Sequence, residues 1–80
     1  MQDTESTELQ LQVNTSGAWK TLLRFGAGDV RTASLARDGA YMLAEAEPAL
    51  AFRVATCESL PRVLYRLDRR SGGWREEKLA

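Results

Sequence analysis

The sequence predicts an α+β fold: a two-layer sandwich in which one helix covers a four-stranded antiparallel sheet, in the order β-β-α-β-β. Three observations carry this expectation. Two apolar–polar alternating runs, "LQLQV" and "AWKTLLRF", open the chain, and two more, "ALAFRVA" and "RVLYRLD", close it. Alternation with a period of two marks strands half-buried in a sheet. The stretch between the pairs is rich in Ala, Leu, Met, Glu and Arg, which are strong helix formers. A sheet and a helix that each have one apolar face bury those faces against one another.

Each element follows from its residues. Residues 1–8 are polar and acidic without apolar periodicity and read as a disordered lead. In the first strand Leu9, Leu11 and Val13 share one face, and Gln10 and Gln12 the other. "NTSG" is a turn cluster, so the first two strands make a hairpin. In the second strand Trp19, Thr21, Leu23 and Phe25 fall inward, and Lys20, Leu22 and Arg24 outward. "GAGD" ends that strand and offers Asp29 as the helix N-cap, whose carboxylate accepts from orphan N–H groups of the first turn. The helix runs from Val30 to Glu47, with Val30, Ala33, Ala36, Ala40, Leu43 and Ala44 on one face and Tyr41 at its edge, and Pro48 stops it. Asp38-Gly39 raises a competing hairpin, "VRTASLA-RDG-AYMLAEA", which would make the chain a small all-β meander or barrel. The alanine-rich flanks lack β-branched residues, and the helix is preferred.

After the proline, Leu50, Phe52 and Val54 fall inward, and Ala51 and Arg53 outward. Pro61 precedes the fourth strand, in which Val63, Tyr65 and Leu67 fall inward and Arg62, Leu64, Arg66 and Asp68 outward. "RRSGG" is a turn, and "WRE" is a candidate short closing strand. The expected core is Leu9, Leu11, Val13, Trp19, Leu23, Phe25, Val30, Ala33, Ala40, Leu43, Phe52, Val54, Val63, Tyr65 and Leu67. The single domain spans residues 9–77. "KLA" at 78–80 resembles the start of an expression-vector tail.

Composition narrows the function classes. The 80 residues hold 11 Lys plus Arg against 11 Asp plus Glu, so net charge gives no general affinity for polyanions. The charge is unevenly placed, with an acidic start and a basic final third. A domain of this size buries roughly 60% of its unfolded surface, which makes its stability marginal. One cysteine precludes an internal disulfide, and with no signal-peptide pattern and no apolar run of roughly 20 residues, a cytoplasmic setting is expected. The sequon at Asn14 then carries no meaning. Richness in Ala, Arg and Leu suggests a bacterial coding sequence.

Catalytic chemistry finds few of its usual parts. Without histidine the commonest general base, the usual triads and most metal sites are missing. Cys57 has no imidazole to activate it. "GAGD" lacks the third glycine and the parallel-strand setting of a nucleotide loop. Glu45 and Glu47, two apart on the helix, point in different directions. The sequence therefore reads as non-enzymatic, with no catalytic residues, metal or cofactor.

Two surfaces remain. The outward register gathers Lys20, Arg24, Arg53, Arg62 and Arg66 on the open face of the sheet, extended by Arg69, Arg70 and Arg75 with Trp74 beside them. Such a face attracts carboxylates or phosphates, although long basic side chains also serve simply to cover a wet sheet face. The leading expectation is a regulatory or interaction module that binds an acidic protein. The alternative is a nucleic-acid-binding module using the same face, disfavoured because the other aromatics fall inward. Leu35, Met42 and Ala46 form a narrow apolar seam on the outer side of the helix, and the sheet edges carry no inward charge, so a homodimer is the further expectation.

Overall fold

A computed structural model describes residues 7–68, 70 and 72–77 of the chain. Residues 1–6 of the expected lead, Arg69 of the expected patch and the vector-like 78–80 lie outside the described residues. Among the described residues the elements are β1 (Glu8–Asn14), β2 (Trp19–Gly26), α1 (Val30–Ala46), β3 (Ala51–Thr56), β4 (Val63–Asp68) and β5 (Gly73–Glu76). The strands form one antiparallel sheet in the order β2-β1-β3-β4-β5, with α1 linking β2 to β3.

The α+β class and the helix stand, and the hairpin reading of residues 30–47 falls. Two details of the expectation are corrected. The sheet has five strands, not four, because Trp74 on β5 pairs with Leu67 and packs against the core. Glu8 belongs to β1, where it pairs with Gly26, and not to the lead.

Local chemistry explains the boundaries. Gly17 sits at φ +99° in the β1–β2 turn, a conformation that favours glycine, and its N–H donates to Asn14 Oδ1 at 2.8 Å. Asp29 caps α1, with Oδ1 accepting from the Thr32 N–H at 3.1 Å. The Thr32 hydroxyl, and then that backbone bond, hold its carboxyl below the ordinary carboxylate range. At the other end the Glu47 N–H donates to Leu43 O at 2.9 Å before Pro48.

The core lies between α1 and one face of the sheet. Ala36, Ala40 and Ala44 bring the helix close to Leu11, Val13, Phe25, Phe52 and Val54. Burying a phenylalanine side chain such as Phe25 or Phe52 is worth roughly 2 kcal/mol. Leu9, Ala33, Leu50, Tyr65, Leu67 and Trp74 close the rim. Trp74 is anchored by its Nε1–H, which donates to Arg37 O at 3.0 Å.

Val30 and Leu43 are not core residues: they are 74% and 51% exposed. A helix resting on a sheet buries an arc roughly 100° wide. With Ala40 at its centre, Leu43 lies roughly 60° to one side and Val30 roughly 80° to the other at 3.6 residues per turn.

Two β-bulges change what the strands present. The β1–β2 register slips so that Leu11 faces Leu23 while Gln12 faces Thr21, leaving Leu22 as the extra residue. The β3–β4 register slips so that Val54 faces Tyr65 while Ala55 faces Val63, leaving Leu64 extra. One added residue reverses the side-chain alternation beyond it. Residues directly opposite in an antiparallel pair share a face. Trp19 and Thr21 therefore leave the core face for the open face, and Lys20, opposite Val13, moves to the helix side. Val63 likewise joins Ala55 on the open face.

Candidate functional site

One transverse row crosses the open face of all five strands: Thr21, Gln12, Arg53, Arg66 and Arg75. Three arginines stand side by side in it. Like charges directly opposite one another destabilise a sheet, so each needs an offset. The Arg66 Nε–H donates to Glu77 Oε1 at 2.9 Å, and an Arg75 Nη1–H donates to Asp68 Oδ2 at 3.1 Å.

Arg53 is held differently. Its Nε–H donates to Gln12 Oε1 at 2.7 Å, and its guanidinium carbon lies 4.1 Å from the centre of the Trp19 ring. No carboxylate pairs with it among the described residues. Partial burial, and then the facing charge of Arg66, lower its pKa from the ordinary value. An arginine guanidinium nevertheless stays charged in proteins. Stacking on an aromatic face contributes about 0.5–2 kcal/mol, depending on desolvation. The result is a cation fixed by a ring and by an amide, with its two terminal nitrogens left for a further acceptor.

Below the arginines the face is buried, although sequence alternation marks it as outward. Gln10 and Gln12 are 6% and 7% exposed and Ala55 is fully covered. Buried amides require partners. Gln10 Nε2 donates to Thr56 O at 2.9 Å, and its Oε1 accepts from the Thr21 hydroxyl. Gln12 accepts from Arg53. Beside the row, Arg66, Asp68, Arg70, Arg75 and Glu77 border an open cleft of about 660 Å³.

The expected binding residues divide. Arg24, Arg53 and Arg66 share the open face, as their partners Gln10, Gln12 and Arg53 show. Lys20 does not, because the β2 bulge turns it away. Arg62 does not either. Its carbonyl accepts from the Thr56 N–H and its own N–H donates to Thr56 Oγ1, which places it past the β4 bulge on the helix side, where it reaches Glu58 at 3.8 Å. Arg70 is exposed in the β4–β5 turn, its N–H donating to Asp68 Oδ1. Trp74 is under the helix, not beside the patch.

Sequence reasoning missed Trp19 and Gln12 as members of the site. A signal was present. Both bulges fall where two aliphatic residues are adjacent in a strand, Leu22-Leu23 and Val63-Leu64, and break the alternation.

No group of three potential metal-ligating His, Cys, Asp or Glu side chains occurs among the described residues. Burial, with the nearby Glu8, pushes the Cys57 thiol pKa up, opposed by Arg24. No described helix is long and apolar enough to cross a membrane. Comparison with protein-family models, curated proteins and solved structures finds no match to the chain.

Proposed function

We propose that the protein is a small non-enzymatic interaction module whose open sheet face binds an acidic segment of a partner protein. The observation that carries this reading is Arg53, stacked on Trp19 and bonded to Gln12 without a carboxylate of its own among the described residues. A guanidinium already ordered in this way loses little further entropy on pairing, so an incoming carboxylate gains a charge-assisted bond at reduced cost. The opposition of Arg53 and Arg66 favours the same ligand, since an acceptor between them relieves their repulsion. Arg66 and Arg75 already share carboxylates with Glu77 and Asp68, which limits the added positive potential to a local spot. A short acidic peptide suits such a spot better than a long polyanion.

One observation favours nucleic acid as a second reading: Trp19 gives the open face an aromatic ring. The Arg53 guanidinium covers it, so a base would first have to displace that cation.

Fluorescence anisotropy decides between the two. The probes are a labelled glutamate-rich peptide and a labelled mixed-sequence single-stranded oligonucleotide, each tested at low and moderate salt. The peptide is expected to bind and to lose binding on Arg53→Gln, whose side-chain amide can still donate to Gln12 Oε1, with the circular dichroism spectrum unchanged. Oligonucleotide binding that falls steeply with salt would move the assignment to nucleic acid. Binding of either probe that survives Arg53→Glu together with Arg66→Glu removes this face as the site.

A further inference from the structure

The longer of the two sheet edges is open. β2 ends the strand order and pairs only with β1 among the described residues, so every second N–H and C=O along its outer side meets no strand. It is eight residues long and free of proline, and Lys20 to Arg24 are all exposed. β5, at the other end of the sheet, has only four residues. An open edge takes an added strand readily: main-chain bonds supply affinity, and alternate side chains supply specificity.

The side chains at this edge point to what the added strand carries. β2 holds Lys20 and Arg24 and no carboxylate. Lys20 makes no ion pair among the described residues. Arg24 donates to the Cys57 thiol yet stays exposed. Arg53 joins them from two strands away. It starts on β3, bonds to Gln12 on β1 and ends over Trp19 on β2, so its guanidinium leans toward this edge and away from β4. A second copy of β2 would bring the same cations and no carboxylate to meet them, and the bulge at Leu22 further opposes flat self-pairing. A strand bearing carboxylates is the complement.

The helix side of the edge adds an apolar requirement. Leu23 stands opposite the core residue Leu11 but is 40% exposed, because no strand lies beyond it. An apolar side chain on an added strand extends the core over Leu23.

We infer that the acidic segment binds as a sixth strand along the outer edge of β2. Its carboxylates alternate with apolar residues, the first on the open face toward Arg53 and Arg24, the second against Leu23. This docking mode rests on the acidic-ligand reading and sharpens it from a charge to a strand pattern.

The probe is a short labelled peptide alternating glutamate and valine, tested by anisotropy on the full chain. Two further versions are N-methylated at every glutamate or at every valine. Only one of these two sets of N–H groups faces β2 in an added strand, since successive residues point their N–H groups to opposite sides. Methylating that set is expected to weaken binding by about tenfold or more, and methylating the other to leave it nearly unchanged. In the complex, amide exchange followed by NMR slows at alternate β2 residues and not in β5. A peptide that binds and is lost on Arg53→Gln, but responds equally to both methylation patterns, keeps the acidic-ligand reading and overturns the strand addition. Failure of both this peptide and the glutamate-rich one overturns the reading itself. Protection of β2 amides that rises with protein concentration in the absence of peptide gives the edge to a second copy and overturns the proposal.

Discussion

The two faces of the sheet are built on different principles. The helix-side face buries aliphatic and aromatic side chains under an alanine stripe. The open face buries two glutamines and an alanine under arginine stems and a tryptophan. The first face is held by area removed from water, which is tolerant of detail. The second is held by directional bonds, which fail if a single partner is lost. A domain with a helix on one side can thus protect both faces of its central strands, but the uncovered side must do so with polar groups.

The largest expected effect breaks the helix-side face. Phe52 is 2% exposed at the centre of the core, and Phe52→Ala is expected to cost about 3–5 kcal/mol. For a domain of marginal stability that is most of the total, so urea unfolding should find the variant largely unfolded in buffer.

A smaller loss sharpens the contrast. Gln10→Leu keeps a similar volume but leaves the carbonyl of buried Thr56 without its side-chain donor. A cost of about 1–3 kcal/mol is expected, although the change adds apolar surface to a buried site. Equilibrium unfolding measures it. A neutral or stabilising result would mean that the open face is held by burial like its opposite.

These two positions also mark how far the sequence can be read. Phe52 was legible, because alternation in "ALAFRVA" places it inward and no bulge intervenes in β3's pairing with β1. The α1 boundaries were legible too, from Asp29 and Pro48. Gln10 and Gln12 were assigned to the correct face but read as solvated. Their bonds go to Thr21 and Arg53, the latter stacked on Trp19, and Thr21 and Trp19 fall on the wrong face in a register that the Leu22 bulge reverses. Arg53 and Arg66 were legible as neighbours on one face, whereas Lys20 and Arg62 were lost from it for the same kind of reason. Alternation reports a face only between bulges, and a site assembled from several strands inherits every error of register.

The smallest effect belongs to neither face and serves as a baseline. The Asp29 carboxyl titrates below its ordinary range because of its bonds to Thr32. A depressed folded-state pKa contributes stability that is fully present above the unfolded-state pKa and lost as pH falls through the folded one. Acidification should therefore weaken α1 only in the range below the ordinary aspartate pKa, and Asp29→Ala should remove that part of the pH dependence. Helix ellipticity followed by acid titration of both proteins checks this.

The strand order has a consequence for how the chain is made. β1 lies inside the sheet between β2 and β3, yet its two neighbours arrive at different times during synthesis. β2 follows after a short turn and can zip onto it early. β3 emerges only after the whole helix, and the bond from Gln10 to Thr56 closes a separation of 46 positions. Until then the nascent hairpin carries an unpaired inner edge. The slow, non-local step is the docking of β3, and the stretch of translation before it is when this chain is most open to pairing with the wrong strand.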